Sequence, residues 1–212
     1  TIPASTLTCL TNVHHERNIY AHPNSIARNI FWQRLETGFG LLNNVSAKSK
    51  VLDLGGGSGA FLPSLAQRFA EVSVVDLDLD DARRVKDHYS LKNVRLFEQD
   101  ISSWDNDEIY DLVIAMDVLE HFADKTVPHR FLGRHLKPDS LLLVSLPTEN
   151  WLYQLGRSII GKTKPADHYH AAHELVQYYQ DTGYSRISHL SAPRLGPFAL
   201  PLFYIALFRK NG

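Results

Sequence analysis

The chain has 212 residues, a formal net charge of −1, 44% hydrophobic residues and 21% charged ones. That is an ordinary globular balance, enough for one large α/β domain or two small ones with a sizeable core. The near-neutral charge lacks the basic excess of a nucleic-acid binder, and a single cysteine, Cys9, excludes an internal disulfide, so a reducing, cytoplasmic setting is expected.

Residues 1–23 are polar and irregular, with no basic stretch leading into a long apolar block, so no signal peptide is expected. From Asn24 onward, Ile26, Ile30, Phe31, Leu35 and Phe39 recur at helical spacing, with Asn24 or Ser25 placed to cap. Residues 1–48 are therefore expected to form an N-terminal segment and cap helix on a domain of residues 49–212. That domain alternates. "KVLDL", "EVSVVDL", "NVRLFEQD", "YDLVIAMD" and "SLLLVSLP" are short apolar strands, and "SGAFLPSLAQRFA", "LDDARRVKDHYS" and "KTVPHRFLGRHL" are helices between them. The alternation predicts a doubly wound, mostly parallel sheet covered on both faces, with right-handed crossovers. After Pro147 a helical insert is expected at about residues 149–182, ending at Gly183 as a C-cap glycine. Two more strands follow. The last holds the apolar run "PFALPLFYIALF", which falls short of the roughly 20 apolar residues that span a bilayer. It is expected as a buried strand, with contact at a membrane surface as the alternative.

The glycine turn "VLDLGGGSGAF" fits two templates. Gly55, Gly57 and Ala60 satisfy a dinucleotide fingerprint, and Gly55, Gly57 and Gly59 a tighter one. In both cases Asp76, about 20 residues past the first glycine, suits ribose hydroxyls. Three features tilt the balance. Asp53 would oppose a pyrophosphate but favour a cationic ligand. Asp100 ends the third strand, where it could accept from an adenine amino group with Ile101 against the ring. "DVLEH" follows the fourth strand at the carboxyl edge of the sheet, where ligands bind.

Together, "VLDLGGGSG", "VVDLD", "EQDI" and "YDLVIAMDVLEHF" resemble, in order and spacing, a class I S-adenosylmethionine-dependent methyltransferase. The "DVLEH" form resembles the broad branch that includes ubiquinone-biosynthesis O-methyltransferases and natural-product and sugar methyltransferases. The resemblance covers residues 49–147 well and the rest in outline. Asp139-Ser140 replaces the family's glycine pair before the fifth strand. The family implies one Rossmann-like domain with a seven-stranded sheet of order 3-2-1-4-5-7-6, its last strand antiparallel. It implies that Gly55, Gly56 and Gly57 let the backbone approach the methionine part of the cofactor, with Asp53 near its amino group. It further implies that Asp76 takes the ribose, that Leu77 and Ile101 pack on the adenine, that Asp100 accepts from its amino group, and that Met116 and Asp117 line the site.

The implied chemistry is in-line methyl transfer to a small-molecule acceptor, most naturally at oxygen, with nitrogen, carbon or a lipid- or nucleotide-linked sugar as alternatives. His121 is the candidate general base and His170 a second one. Asp117, Glu120 and His121 form D-x-x-E-H, expected on one helical face as an alternative divalent-metal site. Tyr20, Trp32, Trp151, Tyr169 and His173 are candidate acceptor-pocket residues. Two rivals stay open: an NAD-dependent oxidoreductase using Gly55, Gly57 and Ala60, and a catalytically silent binding subunit of the same fold.

Overall fold

A computed structural model describes residues 19–104, 106–148, 169–193 and 201–212, together with Thr6. Its strands are β1 (Lys50–Leu54), β2 (Glu71–Asp76), β3 (Val94–Glu98), β4 (Tyr110–Met116), β5 (Leu136–Pro147), β6 (Tyr184–Ala192) and β7 (Phe203–Lys210). They form one sheet of order β3-β2-β1-β4-β5-β7-β6, the order that the family resemblance implies. β7 runs antiparallel to both β5 and β6, and the remaining pairs are parallel.

The helices are α1 (Ser25–Leu41), α2 (Leu62–Arg68), α3 (Asp80–His88), α4 (Thr126–His135) and α5 (Ala172–Asp181). Neighbouring residues of each strand point to opposite faces. Val51, Val72, Leu112 and Leu143 pack with Leu35 of α1, Leu65 of α2 and Val85 of α3. Leu52, Val113, Leu142 and Val144 pack with Leu132 of α4 and Leu175 and Tyr179 of α5. This two-sided burial is why the central strands read as unbroken apolar runs. The edge strand β6 has one face open and carries polar residues there. In β7, Phe203, Ile205, Ala206 and Phe208 are fully buried, so the part of the apolar run from Phe203 to Phe208 is a core strand. Among the described residues, no helix is long and apolar enough to cross a membrane.

Local chemistry sets the boundaries. Asn24 caps α1: its Oδ1 accepts from the N–H groups of Ile26 at 3.0 Å and Ala27 at 3.2 Å. α2 begins only at Leu62, later than expected, because Gly59 is held at φ +66° in the preceding turn. Gly183, at φ +100°, follows α5 as foreseen. Asp139 adopts the left-handed conformation at φ +67°. Ser140 beside it is buried and donates to the Tyr110 carbonyl at 3.0 Å. Aspartate tolerates that region better than most residues, so the turn forms without a glycine.

Asn24 is exposed, so Asn24→Ala tests its cap without disturbing the core. The variant should lose about 1 kcal/mol of stability in urea unfolding. An unchanged midpoint would show that α1 is held by packing alone.

Candidate functional site

Strand register places the chemistry on one edge. Leu54 pairs with Val75 of β2 and with Ala115 of β4, so the turns after these strands converge at the carboxyl end of the sheet. A cavity of about 360 Å³ opens there. Gly55, Asp76, Leu77, Asp100 and Ile101 line one side, and Asp117, Val118, His121 and Phe122 line the other.

The glycine turn is shaped by its own protein. Gly55 sits at φ +76° and donates its N–H to Val75 O at 2.8 Å; a Cβ there would lie 2.3 Å from a Val118 methyl. Gly57 donates to Asp76 Oδ2 at 2.8 Å, and a Cβ on it would lie 2.5 Å from the Asp78 carbonyl oxygen. A Cβ on Gly56 would meet Asp53 Oδ2 at 2.4 Å. The glycines therefore serve first to let the turn close against β2 and the segment after β4. Closeness to a ligand was the expected reason; the chain itself already demands them.

The acidic residues are held in different ways. Asp76 Oδ1 accepts from the Leu77 N–H at 2.7 Å while Oδ2 takes Gly57, so one carboxylate ties two turns together. Asp100 Oδ1 accepts from the Ser102 N–H at 2.8 Å and from its hydroxyl at 2.7 Å, which holds the carboxyl below its ordinary pKa. Asp53 is only 4% exposed under the glycine turn and accepts no hydrogen bond among the described residues. Burial, reinforced by the nearby Asp76 carboxylate, pushes its pKa up to about 7. Leu77 is 71% exposed beside the cavity, an apolar side chain left without a cover.

Asp117 has φ +58°. Its N–H donates to Ser145 O at 2.9 Å, and its Oδ1 accepts from the Ser145 hydroxyl at 2.9 Å. Its Oδ2 forms an ion pair with Arg34 of α1. Arg34 is buried, donates to the Tyr20 hydroxyl, and lies 5.3 Å from the Phe31 ring centre and 5.2 Å from that of Phe203. Neither Arg34 nor Ser145 was picked out from the sequence. Both left a trace: a charge on the apolar face formed by Phe31, Leu35 and Gly38, and a hydroxyl inside "LLLVSLP". Gln99, Val118 and Phe122 also line the cavity and were missed, since nothing in their spacing separates them from ordinary strand ends.

Several expectations are corrected. Met116 does not line the cavity. It turns under α1, where its Cε would lie 3.0 Å from a Cβ on Gly38, because the last residue of β4 points to the opposite face from its neighbour. Tyr20 and Trp32 are core residues, at 7% and 9% exposure with ring centres 5.2 Å apart, because α1 presses its aromatic face onto β7. Tyr169 is 53% exposed and His173 is exposed on the first turn of α5, so neither lines the cavity. Trp151 falls outside the described residues. His170, the second candidate base, does not line the cavity; its Nε2 lies 3.2 Å from the Ala123 carbonyl oxygen. The cap of α5 is made by Glu174, which accepts from the Ala171 N–H at 3.1 Å. The Tyr169 N–H donates to Glu120 O at 3.0 Å, which ties residue 169 to the "LEHFA" turn. Asp117, Glu120 and His121 do not share a helical face. Asp117 lies before the 3₁₀ turn Leu119–His121 and is taken by Arg34, while Glu120 is fully buried. Among the described residues, no three His, Cys, Asp or Glu side chains form a metal-ligating group.

A family model described as a methyltransferase domain matches residues 31–191. The chain belongs to the methyltransferase-domain family. A ubiquinone biosynthesis O-methyltransferase of Rickettsia conorii is 27% identical over 139 residues, covering 63% of this chain and 48% of that protein. A trans-aconitate 2-methyltransferase of Escherichia coli is 31% identical over 104 residues, covering 48% of this chain and 40% of that protein. The chain thus spans about half the length of the curated relatives it matches. Among solved structures, the N-methyltransferase NodS of Bradyrhizobium japonicum, in complex with S-adenosyl-L-homocysteine, gives a TM-score of 0.64 at 17% identity, covering 99% of this chain and 98% of that one. The magnesium protoporphyrin IX methyltransferase of Synechocystis, with the same ligand bound, gives 0.68 at 19% identity, covering 92% of each. In this methyltransferase domain the cavity lies where β1 to β4 end, at the switch point that open α/β sheets use for ligands.

Asp53 offers a direct test of the edge's electrostatics. The folded protein keeps this proton up to about pH 7, whereas the unfolded chain releases it near 3.8. Stability is therefore lost as pH rises between those values. Asp53→Asn should flatten that slope and be more stable than the parent at about pH 8 in denaturant titrations. An identical slope in both proteins would place the Asp53 carboxyl in a more solvated setting.

Proposed function

We propose that this chain binds S-adenosylmethionine in the cavity at the carboxyl edge and transfers its methyl group to a small molecule, at an oxygen atom. One observation carries the reading. A single cavity joins a carboxylate and an apolar side chain at the end of β2 to another such pair after β3, with a buried carboxyl behind the glycine turn. Asp76 is placed to accept from ribose hydroxyls, and Asp100 from the exocyclic amine of an adenine. Leu77 and Ile101 offer apolar cover for the ring faces.

Asp53 decides between the two glycine templates. A buried carboxyl with no donor of its own favours a cation and opposes a pyrophosphate. A ligand carrying an ammonium and a sulfonium meets that requirement, whereas a nicotinamide dinucleotide does not. The ligand seen in related structures, S-adenosylhomocysteine, supports the same choice.

The bound donor supplies a methyl group activated on sulfur, and the chain supplies alignment and exclusion of water. His121 lines the cavity at the end of β4 and is the imidazole placed to take the acceptor's hydroxyl proton. The relatives named as O-methyltransferases support oxygen as the target. NodS and a toxoflavin-precursor enzyme of Burkholderia thailandensis are named as N-methyltransferases, so nitrogen is the second reading.

Calorimetry with S-adenosylhomocysteine should give saturable binding, and NADH should give none. The reverse pattern would sink the proposal in favour of an oxidoreductase, and silence toward both would favour a binding subunit of the same fold. A screen with methyl-labelled donor against phenols, carboxylic acids, sugars and amines would then identify the acceptor class. With the acceptor in hand, His121→Ala should lower turnover by about 10²-fold while donor affinity is kept. Unchanged turnover would reduce His121 to a wall of the cavity.

A further inference from the structure

Resting on the donor site just described, we propose that Arg34 is a positioning residue for it: through Asp117, α1 is an energetic part of the donor-binding unit and not a separate cover. Asp117 is the cavity residue whose backbone is least at ease. At φ +58° it occupies a region that non-glycine side chains rarely adopt, and such conformations persist where the surroundings over-determine them. Two groups do so here. Ser145 on β5 holds Oδ1 and the peptide N–H, and Arg34 on α1 holds Oδ2.

Arg34 is itself fixed from several directions. Its side chain is 4% exposed, it donates to the Tyr20 hydroxyl, and its guanidinium faces the rings of Tyr20, Phe31 and Phe203. The planar guanidinium can serve Asp117 and Tyr20 together, which a lysine ammonium cannot do with the same geometry. Since α1 packs on β5, β6 and β7, Arg34 cannot move without disturbing that contact. Asp117 therefore keeps all its partners beside Gly55 and Val118 only while α1 is docked, since Ser145 holds the rest. The coupling must run both ways: a ligand that needs Asp117 in this position also favours docked α1.

The test is a double-mutant cycle read by calorimetry with S-adenosylhomocysteine on the full chain, using Arg34→Met, Asp117→Asn and the pair. Arg34→Met should weaken binding about tenfold or more, because it leaves the Asp117 charge without its cation and its position held by Ser145 alone. Asp117→Asn should also weaken binding. In the Asp117→Asn background, Arg34→Met should have no further effect. Wild-type affinity in Arg34→Met overturns the proposal, and so does an undiminished tenfold loss in the Asp117→Asn background.

Removing a buried cation can unfold a protein, so folding is followed by circular dichroism. If Arg34→Met does not fold, the same cycle is run with Arg34→Lys. That variant keeps the charge and should show a loss of about threefold to tenfold that disappears beside Asp117→Asn. A loss that persists there overturns the proposal. A parent chain that binds no S-adenosylhomocysteine removes the donor-site reading itself, whereas a binding parent with an indifferent Arg34 removes only the inference drawn here.

Discussion

The hydrogen bond from the Gly57 N–H to the Asp76 carboxylate, at 2.8 Å, is the constraint on which the rest of the site depends. It joins the turn after β1 to the turn after β2 across the parallel pair. The same carboxylate caps its own turn through Leu77. With that link made, the glycine turn is pressed so close to the Asp78 carbonyl and to Val118 that side chains at 55 and 57 have no room. The link also sets Leu77 beside the cavity and leaves Asp53 covered by the turn.

Four aspartates crowd this edge, and each has a different way of bearing its charge. Asp76 leans on backbone N–H groups, Asp100 on Ser102, and Asp117 on Arg34 and Ser145. Asp53 has none of these and keeps its proton toward neutrality. A carboxyl in that state is poised to ionise when a positive group arrives beside it, and the proton it gives up is part of the binding equilibrium. The acidic edge is thus graded: three carboxylates are held by partners within the protein, and Asp53 is left with its proton.

Much of the fold was legible because it rests on periodicities that survive in one dimension. Strands covered on both faces must be continuously apolar, so β1, β2, β4 and β5 could be read directly, and with them the alternation that requires a parallel sheet. Asp76, Asp100 and Asp117 were legible because strand ends mark the carboxyl edge. The errors have a common origin. The resemblance implies that Met116 lines the site beside Asp117, but successive strand residues face opposite ways and it lies under Gly38. Tyr20 and Trp32 belong to the N-terminal segment expected to build an acceptor pocket, but aromatic residues suit a core equally, and only the docking of α1 on β7 decides. D-x-x-E-H was read as a helical face, but the chain turns through a left-handed residue before a single 3₁₀ turn.

The sequence by itself determined the doubly wound sheet, the edge on which its chemistry lies, and the acidic, glycine-rich character of that edge, because all three follow from local pattern and strand order. The tertiary structure decided which of those residues are committed to the protein and which face the cavity. Arg34 shows why. It stands 83 positions before Asp117, on a helix outside the motifs, and its meaning appears only when α1 lies across the sheet and places a buried cation on an aspartate held at φ +58°. Charge pairing over such a separation leaves no spacing to read, because it is fixed by packing and not by the chain's own geometry.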